Sequence, residues 1–166
     1  MSSVSLRPAT AEDESFLFDL YCAVRAPEFA LLPLPPEQKN HLIAMQYAAQ
    51  RNAYRAEYPG SSYEIVLEQG RPVGRIWIAR LEDEFHLVDI ALLPQARNAG
   101  IGTMLMKQLQ AEARRAGKPV RSSIFQFNPG SLRFHQRLGF QVTNEDEIQC
   151  YMEWTPGKDT EGVAAP

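Results

Sequence analysis

The run Arg97-Asn98-Ala99-Gly100-Ile101-Gly102 stands where an apolar strand ends at Pro94 and a patterned helix begins. Two glycines let a backbone approach a ligand closely, and the N–H groups of such a loop can converge on one point. The start of a helix adds roughly half a positive charge, which favours a phosphate. Arg97 stands at the mouth of the loop, where a guanidinium can add a charge-assisted contact. A tight turn needing two glycines for steric reasons reads the same way, so the loop alone leaves both uses open. Its spacing excludes two other phosphate loops. A P-loop requires Gly-Lys followed by Ser or Thr, whereas Gly102 is followed by Thr103 and Met104. A dinucleotide fingerprint requires a third glycine near position 105, where Leu105 stands.

The rest of the chain gives this loop no help from bulk charge. The net charge is −3, so nothing pulls the protein as a whole toward nucleic acid or an anionic membrane. Any bound anion must be held by local geometry. The short basic patch Glu112–Arg121 falls at a helix end, where cations suit the helix dipole. Cys22 and Cys150 lack metal-ligand spacing and are expected to be reduced thiols, with no metal. The first residues lack a basic segment followed by an apolar one, and no apolar run approaches the ~20 residues needed to cross a bilayer. A soluble, cytoplasmic protein is expected. Its 166 residues suit one domain with a real core.

Periodicity places the elements. A strand is predicted over Val4–Arg7, then a helix capped by Thr10 with Asp13 in the capping-box position and Phe16, Leu17, Leu20 and Val24 on one face. The Pro-rich segment Ala26–Gln38 is expected to break regular structure, and a helical period returns from Glu37 to about Glu57. Strands are predicted over Tyr63–Glu68, Pro72–Leu81 and Phe85–Leu93, the last with both faces buried. A helix over 101–116 carries Ile101, Met104, Leu105, Leu109 and Ala113 on one side and stops at Gly117. A strand over Val120–Phe127, a short helix ending at Gly139, and strands over Phe140–Thr143 and Ile148–Trp154 complete the order. Trp77 and Trp154 read as core or sheet residues. Helices set among strands imply an α/β (α+β) fold with a mixed, mostly antiparallel sheet flanked by helices. The polar segment 155–166, rich in Gly and Pro, reads as a disordered tail.

The stretch Asp89–Gly117 followed by Phe127–Val142 resembles the GNAT superfamily of acetyl-coenzyme A-dependent N-acetyltransferases. Arg97-x-x-Gly100-x-Gly102 fits the pyrophosphate loop of that family, and Asn128 with Gly139-Phe140 fits a second motif about thirty residues on. The resemblance runs from about residue 64 to 154. It implies a single N-acetyltransferase domain over 1–154, with about seven strands splayed in the middle of the sheet and about four helices. It also implies acetyl-coenzyme A as co-substrate. The carrier's diphosphate would lie on Arg97, Asn98, Ala99, Gly100, Ile101, Gly102 and Thr103, and its pantetheine arm along Ala91, Leu92 and Leu93, with Asn128 also at the cofactor. A splay around Ser123–Gln126 would admit the arm.

The resemblance implies direct transfer of an acetyl group to a primary amine of a small molecule or peptide. An alkylammonium of pKa about 10 must first lose its proton, and the departing thiolate must gain one. The family's acid is a tyrosine in N-x-x-A-x-x-x-Y-x-x-x-G-F, and that position is His135 here. His135 is therefore the candidate acid, with packing on the helix as the alternative. Glu84, His86 and Asp89, on the strand entering the loop, are the candidates for the base; Glu84 could instead face solvent, and Asp89 could satisfy backbone groups in a bulge. In this family the N-terminal helices wall the acceptor pocket, which makes Tyr47, Gln50 and Tyr54 candidates for acceptor contact. A tyrosine stripe at helical spacing is more often packing. A homodimer is expected from relatives. Loss of the tyrosine leaves a second reading, a non-catalytic acyl-coenzyme A sensor.

Overall fold

Thr10 and Asp13 start the first long helix as their spacing predicts. The Thr10 N–H donates to the Asp13 carboxylate at 2.8 Å, closing a capping box over a single 3-10 turn. Arg7 grips both oxygens of that carboxylate, at 2.7 and 2.8 Å. The guanidinium and the Thr10 N–H together hold the Asp13 carboxyl well below the usual carboxylate range.

The structure, a computed structural model, describes residues 3–157. Positions 158–166, most of the tail expected to be disordered, lie outside the described residues. The elements are β1 (Val4–Pro8), α1 (Glu14–Ala30), α2 (Pro36–Glu57), β2 (Ser62–Glu68), β3 (Arg71–Arg80), β4 (Phe85–Leu92), α3 (Ile101–Ala116), β5 (Val120–Phe125), α4 (Pro129–Arg137), β6 (Gln141–Glu145) and β7 (Gln149–Trp154). The strands form one sheet in the order β1-β2-β3-β4-β5-β7-β6. Among the described residues no helix is long and apolar enough to cross a membrane.

Two compact units emerge among the described residues, one of 3–77 with Asp89–Ile101, the other of Ile78–Val88 with 102–157. Strands β3 and β4 contribute to both. In the first unit Leu17, Tyr21 and Phe29 of α1 meet Ile43 and Tyr47 of α2 and Ile65 of β2. Here the reading of Ala26–Gln38 as irregular is corrected. Helix α1 runs on through Pro27 to Ala30, because buried Phe29 anchors the last turn. A proline so near the end removes one intrahelical bond and little more.

In the second unit α3 buries Leu105, Met106, Leu109 and Ala113, the stripe its period predicts with Met106 added and Met104 half-buried. Gln110 on the same helix donates to the Leu138 carbonyl at 2.8 Å. Strand β5 alternates, with Val120, Ser122 and Ile124 buried, and pairs antiparallel with β7 from Val120–Trp154 to Phe125–Gln149. Trp77 and Trp154 are both core residues. Cys22 and Cys150 are free, and burial raises both thiols above their ordinary pKa.

Two features of β4 matter for the site. Its parallel ladder with β5 runs from Phe85–Val120 to Leu87–Ser122, and β4 continues past that ladder to Leu92. The second feature is a register shift against β3. Leu81 N–H donates to Glu84 O at one end of the hairpin, and Leu93 N–H donates to Val73 O at the other. Residues 74–80 therefore face residues 85–92, so β4 holds one residue more than its partner, the count of a β-bulge. Strict alternation would set Asp89 on the same face as Phe85 and Leu87. The extra residue turns it over. The expectation that both faces of this strand are buried is corrected: Phe85 and Leu87, on one face, are buried, while His86 on the other face and Val88–Leu92 are half-buried.

Candidate active site

The strand-to-helix loop is shaped by two residues in the left-handed region. Asn98 has φ +61° and Gly100 has φ +83°. Nothing lies within 4 Å of where a Gly100 Cβ would stand, so glycine serves the backbone conformation there and not a lack of space. Asparagine tolerates the same region through local hydrogen bonding. Before them, the Ala96 and Arg97 N–H groups fold back onto the Leu93 and Pro94 carbonyls in a 3-10 turn. A hydrogen-bonded turn covers Arg97 and Asn98. The amides of Ile101, Gly102 and Thr103 open α3, where the first turn leaves N–H groups without intrahelical acceptors. The loop thus leads into a helix N-terminus whose first-turn N–H groups suit an anion.

Arg97 is exposed, and its Nε donates to the Leu92 carbonyl at 3.0 Å. The guanidinium therefore folds over the end of β4, with its two terminal amino groups left to other partners. Ala91, Leu92 and Leu93 lie on the stretch of β4 beyond the β5 ladder. Gly74 of β3 packs against this stretch so closely that a Cβ would fall on the Ala91 carbonyl oxygen and on the Leu92 side chain.

Gln50, Tyr54 and Asp89 are brought together, around a residue sequence reasoning missed. Arg75 of β3 is 5% exposed, and its Nε donates to Asp89 Oδ2 at 2.6 Å. Its Nη2 donates to Gln50 Oε1 at 3.2 Å and its Nη1 to the Tyr63 hydroxyl at 3.4 Å. Burial opposes the charge on Arg75, but Asp89 and Tyr63 outweigh it and raise its pKa. Tyr63 stacks on Trp77 with ring centres 4.2 Å apart, and Tyr54 meets the same indole edge-on at 5.4 Å. Burial, with the negative charge of Asp89 second, pushes the Tyr54 hydroxyl up to about 12. The only signal for Arg75 in the sequence is an arginine inside the apolar run Val73–Ala79.

Tyr47 stands apart from this group. It is buried between Phe18 and Tyr21, and its hydroxyl donates to Glu14 at 2.9 Å. Arg51 pairs with the same carboxylate. Burial and Glu14 together raise the Tyr47 pKa, so its hydroxyl is a fixed donor in the helix pair.

The remaining candidates belong to the second unit. Glu84 lies 3.5 Å from Arg121 and 3.9 Å from His86, with Oε2 buried and without a hydrogen-bond partner. Asn128 caps α4, its side-chain oxygen accepting from the Ser131 N–H at 3.1 Å. His135 is 2% exposed, with its ring edge-on to Phe134 and Phe140. Its Nδ1 sits 2.8 Å from the Ser131 carbonyl, which can only accept, so the proton is on Nδ1 and Nε2 carries the lone pair. Nε2 is buried without a partner, and burial lowers the imidazole pKa. Among the described residues no cluster of three or more His, Cys, Asp or Glu side chains could hold a metal ion.

Comparisons with known proteins bear on the fold and the family. No curated protein matches the sequence. Solved structures match its fold over nearly the whole chain. The PaiA N-acetyltransferase of Thermoplasma acidophilum in complex with coenzyme A aligns with a TM-score of 0.71 at 16% identity, covering 92% of this chain and 99% of that one. YncA of Salmonella typhimurium with acetyl-CoA aligns at 0.55 and 21% identity, covering 98% and 97%. An Arabidopsis thaliana protein in complex with the bisubstrate analogue CoA-Ac-MVNAL aligns at 0.62 and 16% identity, covering 91% and 97%. The model of the acetyltransferase (GNAT) family matches residues 27–140, more than half of the sequence and a span that includes the glycine loop, Arg75, Asp89 and His135. The chain belongs to the GNAT acetyltransferase family.

Proposed function

We propose that this protein is an N-acetyltransferase that moves an acetyl group from acetyl-coenzyme A directly to a primary amine of a small molecule or peptide. The observation that carries the reading is the loop from Arg97 to Thr103, whose first-turn N–H groups at the start of α3 suit a diphosphate. The stretch of β4 beyond its β5 ladder suits an extended polyamide, which can hydrogen-bond to Ala91, Leu92 and Leu93 as an added strand would. The co-substrate supplies an activated acyl group, a thioester whose sulfur departs as the amine nitrogen bonds to the carbonyl carbon. Similar folds with coenzyme A, acetyl-CoA and a peptide-bearing bisubstrate analogue support both halves of the reading.

The protein's share of the chemistry is to align the amine, take its proton and exclude competing water. Asp89, with Oδ2 held by Arg75, is the favoured carboxylate for the amine side. Glu84, beside Arg121 and His86, is the alternative. His135 is buried, neutral and committed through Nδ1 to Ser131, which supports packing over proton delivery to the departing sulfur. The same substitution of the family tyrosine favours a second reading, an acyl-coenzyme A sensor without turnover.

Release of free thiol from acetyl-coenzyme A, measured with a panel of small amines and amino-terminal peptides, separates the two. Thiol release that depends on the amine supports the transferase. Calorimetric binding of coenzyme A with no release for any amine identifies the sensor. Turnover retained in His135→Ala removes the imidazole from the reaction.

A further inference from the structure

We propose that Arg75 is a positioning residue for the acceptor amine, acting through Asp89; this rests on the transferase reading above. The ion pair is asymmetric. Arg75 is nearly inaccessible, whereas the Asp89 side chain is 23% exposed. Only Oδ2 accepts from the guanidinium, and Oδ1 has no recorded partner among the described residues. The Tyr54 hydroxyl, close enough to feel the charges of both Asp89 and Arg75, has no recorded hydrogen bond either. A carboxylate oxygen and a phenol oxygen, both with unused acceptor capacity, suit the N–H bonds of an ammonium group. Arg75 and Asp89 already cancel and Tyr54 stays protonated at neutral pH, so a bound ammonium brings a single positive charge, which the partly exposed Asp89 carboxylate meets directly through Oδ1.

Arg75 also fixes where that carboxylate sits. Its planar fork reaches β4 through Asp89, α2 through Gln50 and β2 through Tyr63, so one side chain ties together three elements of the first unit. Lysine has a single nitrogen and cannot reproduce three fixed directions. The one-residue register shift in β4 is what turns Asp89 toward this fork. The acceptor class that follows is an amine offered as an ammonium ion, and the oxygen it meets is Asp89 Oδ1.

The test compares wild type, Arg75→Lys and Tyr63→Phe, using acetyl-coenzyme A and whichever amine in the panel wild type acetylates fastest. Thermal unfolding and calorimetric affinity for coenzyme A report folding and the carrier site independently. The expected result is a KM for the amine raised about tenfold in Arg75→Lys and about threefold in Tyr63→Phe, with kcat less affected and carrier affinity within about twofold. In an Asp89→Asn background the lysine substitution should add nothing further, since the two residues act as one unit. An unchanged amine KM in Arg75→Lys, or a full additional loss in the Asp89→Asn background, overturns the inference and leaves the transferase reading standing. Absence of acetyl transfer by wild type to every amine overturns both.

Discussion

Gly74 of β3 lies so close to the Ala91 carbonyl oxygen that a methyl group has no room between them. Ala91 belongs to the stretch of β4 that passes beyond its parallel ladder, so the missing side chain lets β3 approach the strand that would bear the pantetheine arm. Gly74→Ala should cost about 1–3 kcal/mol of stability, the usual penalty for overpacking against atoms that cannot step aside. Urea denaturation measures it. A midpoint equal to wild type would show that the two strands part easily.

Gly102→Glu should abolish binding of coenzyme A while the protein stays folded. The substitution places a side chain and a negative charge in the first turn of α3, where the helix end and its first-turn amides favour an anion from outside. Calorimetric titration beside a circular dichroism melt checks both parts. Unchanged affinity would remove the diphosphate from this loop.

Arg97 has two competing uses. Its Nε is bonded to the Leu92 carbonyl, and its terminal nitrogens would serve the phosphates of a carrier held at this loop. Arg97→Ala should weaken coenzyme A by about 1–2 kcal/mol, a fivefold to thirtyfold rise in Kd, the scale of one charge-assisted bond. A steady Kd would assign the guanidinium to capping β4 alone.

His135 makes folding sensitive to mild acid. Burial lowers its pKa below the unfolded value of about 6.5, so the unfolded chain binds more protons than the native one in the window beneath that value. The contribution is complete above about pH 6.5 and is lost as pH falls. Melting temperature should drop more steeply between about pH 7 and pH 5 in wild type than in His135→Phe. Parallel slopes would show that the ring charges without cost. Asp13, held below the usual carboxylate range by Arg7, acts in a separate window, from about pH 4 downward.

The elements were legible because each carries its own period. Helix α3 and strand β5 announce their buried faces at every third or fourth and every second residue. The end of α1 was not, since Pro27 signals a break and only the packing of Phe29 overrides it. The glycine loop was legible because conformation there is dictated by residue type, at Gly100 above all. The cluster around Arg75 was legible only in pieces. Gln50, Tyr54 and Asp89 stand far apart in sequence, and the arginine that joins them sits in a strand where a charge has no local explanation. His135 shows the converse, a residue chosen by motif position whose surroundings are aromatic and dry.

The surplus residue in β4 makes the strand a frame that can be misread. Flattening that bulge at the strand's present length would return the Asp89 carboxylate to the face of Phe85 and Leu87, stranding a guanidinium in the interior. Changes that straighten β4 without shortening it are therefore the ones that would part the pair, whereas loss of the surplus residue would leave the carboxylate on its present side.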